Sequence, residues 1–225
     1  ICGGRSSEHE VSVTSARSML PHIDRERFDV TVVGISKVGE WMLLDEASKQ
    51  LATGAIEAQS LARLLVDHNT SPGRGARLLF ADDAQSPPLE VDVVFPLLHG
   101  PYGEDGSVQG LMQLANAPIV GCGIAASAAA MDKDMAKRLC KSADLPQLDY
   151  RVVRRNCFES RPKAVTLELE GLIGYPLFVK PARMGSSVGV SRAGNREDLV
   201  VALATAARYD SKIIVEAAAD GYREL

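Results

Sequence analysis

The chain has 225 residues, 46% hydrophobic and 24% charged, a composition that supports a packed core and excludes disordered, collagen-like and coiled-coil chains. With 25 basic residues against 29 acidic ones the formal net charge is −4, which argues against a broad nucleic-acid footprint and leaves room for a local basic pocket. No apolar run reaches about eighteen residues and no basic-then-apolar leader is present, so neither a membrane span nor a secretion signal is expected. Cys2, Cys122, Cys140 and Cys157 show no CxxC pairing and read as free thiols of a reducing cytoplasm. At a prior of about 150 residues per domain, two domains are expected. The chain opens at Ile1-Cys2-Gly3-Gly4 without a Met and stops at Arg223-Glu224-Leu225 without a helix-stop signal, so it reads as interrupted at both ends.

Strand-like runs rich in Val, Ile and Leu occupy residues 28–35, 41–44, 78–80, 91–98 and 118–120, mostly without clean alternation, the pattern of strands buried on both faces. Helical periodicity at 11–20, 56–66 and 108–115 lies between them, which predicts βαβ units and a largely parallel sheet. Residues 69–75 and 82–88 read as loops. After Gly123 the pattern changes. An Ala-rich helical region over 125–143 ends near Asp144-Leu145-Pro146, and strands at 150–153, 177–180 and 188–191 come in close pairs, as in a smaller α+β unit with an antiparallel sheet. A helix over 197–208, N-capped by Asn195, and a strand over 213–216 follow.

Four segments carry candidate chemistry. In Gly3-Gly4-Arg5-Ser6-Ser7-Glu8-His9-Glu10, the Ser7-x-x-Glu10 spacing is that of a capping box, which gives Glu10 a structural task. Glu8 is then left to meet a ligand ammonium group or to complement the helix dipole. In Leu98-His99-Gly100-Pro101-Tyr102-Gly103-Glu104-Asp105-Gly106, the loop follows a hydrophobic strand at the sheet end where ligands bind, and His99 is either structural or a site residue. Asp105 could cap the helix that starts near Ser107.

Gly121-Cys122-Gly123-Ile124-Ala125-Ala126 approaches a GxGxxG/A fingerprint, but it lacks a strand-end acidic partner and reads as a tight strand-to-helix turn. The segment from Leu177 to Val190 places a Gly/Ser loop, Gly185-Ser186-Ser187-Val188, between two strands. It has neither the GK[ST] ending nor the following helix of a P-loop, yet its amides and hydroxyls can cradle phosphate oxygens in the manner of a flap. Alternation puts Leu177 and Val179 on one face and Phe178 and Lys180 on the other, so Lys180 points toward the space the loop covers. Lys133 could supply a second cation, and Glu216 ends a strand where an acceptor could take the amino group of an adenine.

The motifs GGRSSEHEVS, LLHGPYGEDGSVQGLMQL, AAMDKDMAKRL and FVKPARMGSSVGVSR, in this order, resemble those of the D-alanine–D-alanine ligases of the ATP-grasp superfamily. The resemblance implies an α/β fold: an N-terminal parallel-sheet (pre-ATP-grasp) domain over 1–130, a smaller α+β ATP-grasp central domain over 131–215, and at 216–225 the start of a C-terminal ATP-grasp domain that is otherwise absent. It implies that Glu8 orients the ammonium of the first D-alanine, that His99 lies near that substrate, and that Ser186 joins a hydrogen-bond network with Glu8 and a tyrosine. Lys133 and Lys180 correspond to nucleotide-phosphate lysines, Gly185, Ser187 and Val188 to the phosphate loop, Glu216 to the adenine-side acceptor and Glu224 to a ribose-side acidic residue. ATP and magnesium are the implied cofactors, with the magnesium ligands and a transition-state arginine expected beyond Leu225. A chain ending there is expected to be inactive. The implied partners are D-alanine and ATP, with neither nucleic acid nor membrane, in a cytoplasmic homodimer that supplies D-alanyl-D-alanine for peptidoglycan precursors. A D-alanine–D-lactate or other carboxylate–amine ligase, and a non-catalytic nucleotide-binding module, are the alternatives.

Overall fold

The computed structural model describes residues 1–44, 49–54, 56, 64–66, 76–80 and 89–219. Two compact units divide the chain, Ile1–Ala128 and Ala129–Leu225. In the first, β1 (Cys2–Gly3) runs parallel to β2 (Val32–Ile35), with α1 (His9–Met19) in the crossover between them. A single 3-10 turn, Leu20–His22, extends α1. β3 (Trp41–Leu44) returns antiparallel to β2. The connection over 36–40 is a hairpin in which the Ser36 amide donates to Glu40 O at 2.8 Å, and so short a link can join only antiparallel neighbours.

Beyond α2 (Lys49–Thr53), a second sheet is antiparallel throughout, in the order β4 (Leu64–Val66), β5 (Ala76–Phe80) and β6 (Leu89–Val91). The α/β class therefore holds, while parallel pairing is confined among the described residues to β1–β2 and a bridge between Val94 and Ile119. The expected helix over 56–66 is corrected at its end, where Leu-Leu-Val forms β4. A short apolar run suits either element, and its partner β5 decides. The loops expected at 69–75 and 82–88 lie outside the described residues.

The run over 91–98 is also not one strand. It pairs amide by amide: Val94 N with Pro118 O, Val120 N with Val94 O, and Leu97 N with Ile1 O, each at 2.8–2.9 Å. Pro96 has no amide to contribute to a continuous ladder. Val94 and Leu98 nevertheless enter a core with Ile35 and with Val108 and Met112 of α3 (Ser107–Leu114). Cys2, Val13, Ala16, Val32 and Met42 form a second cluster beneath α1.

The helical region expected over 125–143 is broken into α4 (Ile124–Met131) and α5 (Lys133–Ser142). Asp132 adopts an extended backbone and its carboxylate accepts from the Asp134 and Met135 amides, so the residue that interrupts one helix caps the next. The second unit is built on an antiparallel sheet of β7 (Tyr150–Arg154), β10 (Lys212–Ala217), β8 (Leu177–Pro181) and β9 (Ser191–Ala193), in that spatial order. Between β7 and β8 lie α6 (Arg155–Ser160) and α7 (Pro162–Leu172), and α8 (Arg196–Ala207) precedes β10. Asn195 caps α8 as expected, its Oδ1 accepting from the Asp198 amide at 2.9 Å.

One face of this sheet packs Val153, Leu177, Val179, Ile213 and Val215 against Val165 and Leu169 of α7 and Leu199 and Leu203 of α8. Period-two alternation turns Tyr150, Phe178, Lys180, Ile214 and Glu216 to the opposite face. The expected strand at 188–191 is displaced to Ser191–Ala193, because residues 185–190 are taken by turns closed by Val188 N to Gly185 O and Val190 N to Ser187 O. All four cysteines are free thiols, and no helix among the described residues is long and apolar enough to cross a membrane.

Candidate functional site

In the first unit, hydroxyl hubs tie the end of β1 to the loop after Leu98. Ser12 Oγ accepts from the Gly3 amide at 2.8 Å and donates to Leu97 O at 2.5 Å. Ser6 Oγ donates to His99 O at 2.6 Å and accepts from the Glu8 amide at 3.1 Å. The expected capping box is thereby corrected. Ser6, one residue earlier, takes the amide at the start of α1, and Glu10 is drawn outward to an ion pair with Lys37. Glu8 holds the N-cap position of α1 and is buried. A Cβ at Gly100, whose φ is +72°, would overlap the Glu8 carboxylate, so the glycine is what allows the two segments to meet.

His99 directly precedes Gly100 in the chain, and its Nε2 is 2.9 Å from Ser15 Oγ on α1. The structure thus brings Glu8 and the His99–Gly100 segment together. Next to them a cavity of about 240 Å³ is lined by Gly4, Arg5, Leu98, His99 and Tyr102, among others, and Glu8 is not part of its wall. Asp105 accepts from the Tyr102 amide at 2.9 Å and the Ser107 amide at 3.0 Å, holding the glycine-rich loop onto α3. These bonds outweigh burial and keep its carboxyl below the ordinary range.

His9 has no place in the sequence reading yet is fully buried. Its Nδ1 donates to Gly4 O at 2.8 Å and its Nε2 accepts from the Ile56 amide at 3.2 Å, which requires the neutral ring protonated at Nδ1.

The second unit assembles cations. Lys133, at the first turn of α5, has its amide on Ala182 O at 3.0 Å and its Nζ on Met184 O at 2.6 Å, so the helix start is fastened to the base of the β8–β9 loop that carries Gly185, Ser186, Ser187 and Val188. Burial, then repulsion from Lys180, pushes the Lys133 ammonium below its ordinary value. Ser186 and Ser187 both have left-handed backbone, with φ of 43° and 58°.

Lys180 leaves β8 toward Glu216 on β10 and pairs with its Oε1, while Lys137, one turn beyond Lys133, reaches Oε2 at 2.9 Å. Burial opposes ionisation of Glu216, but hydrogen bonds from Lys180 and Lys137 outweigh it and hold the carboxyl low. The i, i+4 spacing of Lys133 and Lys137 was the signal available for Lys137. A neighbouring network anchors the same helix: buried Lys212 donates to Asp132 Oδ2 at 2.6 Å and lies 3.5 Å from Asp134 Oδ2. Lys133, Lys180, Gly185 and Glu216 are therefore neighbours, Ser187 and Val188 lie in the adjoining turns, and Glu224 lies outside the described residues.

A family profile described as "D-ala D-ala ligase N-terminus" matches residues 1–122, and one described as "D-ala D-ala ligase C-terminus" matches residues 139–225. The chain belongs to the D-alanine–D-alanine ligase family. A D-alanine–D-alanine ligase of Heliobacterium modesticaldum is 50% identical over 216 residues, 96% of this chain and 58% of the relative. One of Mycolicibacterium vanbaalenii is 47% identical over 231 residues, 100% of this chain and 61% of the relative. Among solved members, the VanG D-Ala:D-Ser ligase of Enterococcus faecalis superposes with a TM-score of 0.80 at 34% identity, covering 98% of this chain and 62% of that one. The D-alanine–D-alanine ligase of Coxiella burnetii does so at 0.79 and 28%, covering 98% and 63%. The chain spans about 60% of the length of the family members it matches.

Proposed function

We propose that this chain carries the first-substrate and nucleotide portions of a ligase that joins two D-alanines at the expense of ATP. The observation that supports this most directly is the pairing of Lys137 and Lys180 with the two oxygens of the Glu216 carboxylate, with Lys133 held at the base of the Gly/Ser hairpin loop, in a chain of this family. Two ammonium groups share that one carboxylate, and the Lys133 ammonium, close enough to Lys180 to be repelled by it, adds further positive charge that a polyphosphate suits.

In this reading Lys133 and Lys180 hold phosphate oxygens, Gly185, Ser187 and Val188 line them, and Glu216 accepts from the purine amine. Glu8 meets the ammonium of the first D-alanine, with His99 beside it and Ser186 contributing its hydroxyl. The carboxylate oxygen of that D-alanine attacks the γ-phosphorus and the bond to the ADP oxygen breaks, leaving an acyl phosphate. The second D-alanine's amine adds to the acyl carbon, loses a proton, and the carbon–oxygen bond to phosphate breaks. The cations stabilise the transferring phosphoryl group and the loop excludes water. Magnesium neutralises polyphosphate charge when bound. Among the described residues no group of three or more His, Cys, Asp or Glu side chains could hold a metal ion, and no step is assigned to one. A cytoplasmic homodimer feeding peptidoglycan precursors is the setting this reading inherits from the family resemblance.

The test is phosphate release from ATP by this sequence continued to the full length of its relatives. Release that depends on D-alanine, with D-alanyl-D-alanine as product, is the expected result, and ATP consumption indifferent to D-alanine sinks the reading. The likeness to a D-Ala:D-Ser ligase favours a second acceptor choice. Competition among D-alanine, D-serine and D-lactate, read by product, separates the two.

A further inference from the structure

Glu216 is asked for two things at once. Its Oε1 is held by Lys180, the residue assigned to phosphate in the proposed function, and the same oxygen pair is assigned to the purine amine. If Lys180 turns to a phosphate, Glu216 loses a partner in a site where it is only 7% exposed, and a buried carboxylate stripped of its cation is strongly disfavoured. Among the described residues one other cation pairs with it. Lys137 reaches Oε2 at 2.9 Å from α5, on the side opposite Lys180, and its ammonium lies 5.1 Å from the centre of the Tyr150 ring, the residue paired in register with Glu216 on β7. Lys133, on the same helix, is engaged elsewhere, at Met184 O. Side-chain exposure of Lys137 is 17%, so it cannot relax into water without leaving the carboxylate.

We propose that Lys137 is a positioning residue for nucleotide selection: it fixes one oxygen of Glu216, so that the other is presented to the exocyclic amine of the purine when Lys180 moves to phosphate. The inference rests on the nucleotide reading of the site. It separates two kinds of lysine within one cluster, those that bind the polyanion and one that keeps the base-reading carboxylate in place. A base with an amine at this position donates to the carboxylate, whereas a base with an oxo group there opposes it with a second acceptor.

The experiment is calorimetric titration of this sequence continued to the full length of its relatives with ATP and with inosine triphosphate, whose base carries an oxo group in place of the amine. The unaltered chain prefers ATP. Lys137→Met weakens ATP by about tenfold, the scale of a hydrogen bond to a charged group, and leaves inosine triphosphate within about twofold, so the preference collapses. Lys137→Arg, which keeps the cation, restores it. In a Glu216→Gln background, Lys137→Met adds no further loss. Equal weakening of both nucleotides marks a structural role and overturns the proposal, as does an intact preference in Lys137→Met or a loss that persists in the Gln background. Should the unaltered full-length chain bind neither nucleotide, the nucleotide reading itself falls and takes this inference with it; binding of ATP with an intact preference in Lys137→Met removes the inference alone.

Discussion

Glycine 100 and histidine 9 show how much of the first unit turns on single residues. A methyl group at Gly100 would meet the Glu8 carboxylate and force a left-handed backbone on a residue with a Cβ. Gly100→Ala is therefore expected to cost about 1–2 kcal/mol of stability, read as a shift in urea midpoint, and, on the proposed function, to weaken D-alanine binding while nucleotide affinity stays unchanged. His9→Phe keeps the buried volume but strands the Gly4 carbonyl and the Ile56 amide, at about 1–3 kcal/mol in the same measurement. The place of Glu8 at a strand-to-helix junction is legible in the sequence, whereas its approach to Gly100 is not. Nor is the role of His9, since both its partners, Gly4 and Ile56, are set by how the chain folds back. Between Ser6 and Ser7 the spacing to Glu10 favours Ser7, and the position of His99 O decides for Ser6.

At the level of elements, capping and pairing separate what was legible from what was not. Asn195 is a cap of ordinary kind, and the alternation of Leu177 to Lys180 correctly divides buried from outward residues. The break at Asp132 was hidden inside an Ala-rich run, where propensity favours one continuous helix and a single extended residue overrides it. Asp132 also partners Lys212, so Asp132→Ala removes a cap and half of the support of a buried ammonium. Its expected cost is about 2 kcal/mol by thermal or urea unfolding, above the ~1 kcal/mol of an exposed cap. The β4 segment is ambiguous in sequence for the opposite reason: three apolar residues carry no period, and only the partner strand declares what they are.

Across the molecule, three buried carboxylates of the second unit are held below their ordinary pKa values. Burial opposes each, and partners overcome it: Arg183 and the Lys212 amide for Asp210, Arg138 and Lys212 for Asp134, and Lys180 with Lys137 for Glu216. A depressed native value means that the unfolded chain binds the proton first as pH falls. The stabilisation is complete above the unfolded carboxylate range, above about pH 5, and is lost as pH drops through that range toward the depressed native values. Urea midpoints are expected to be level between about pH 6 and 8 and to fall steeply below about pH 4.5, and a midpoint that rises on acidification would contradict the ion-pair assignments. Asp210→Asn should flatten part of this acid limb, because the mutant side chain no longer titrates. The net charge of −4 gives no hint of this, since the arrangement depends on which lysine faces which carboxylate and not on their number.

The consecutive left-handed serines of the β8–β9 loop set a rule for substitution there. Thr preserves the hydroxyl of Ser186 or Ser187 but carries a branched Cβ that the left-handed region excludes, whereas Gly discards the hydroxyl and accepts the backbone. Swaps that look conservative by chemistry are thus severe by conformation, and the reverse. Comparing Thr with Gly at each position divides what the loop needs from its shape from what it needs from its oxygen atoms, and of the two small hydroxyl residues only serine meets both demands.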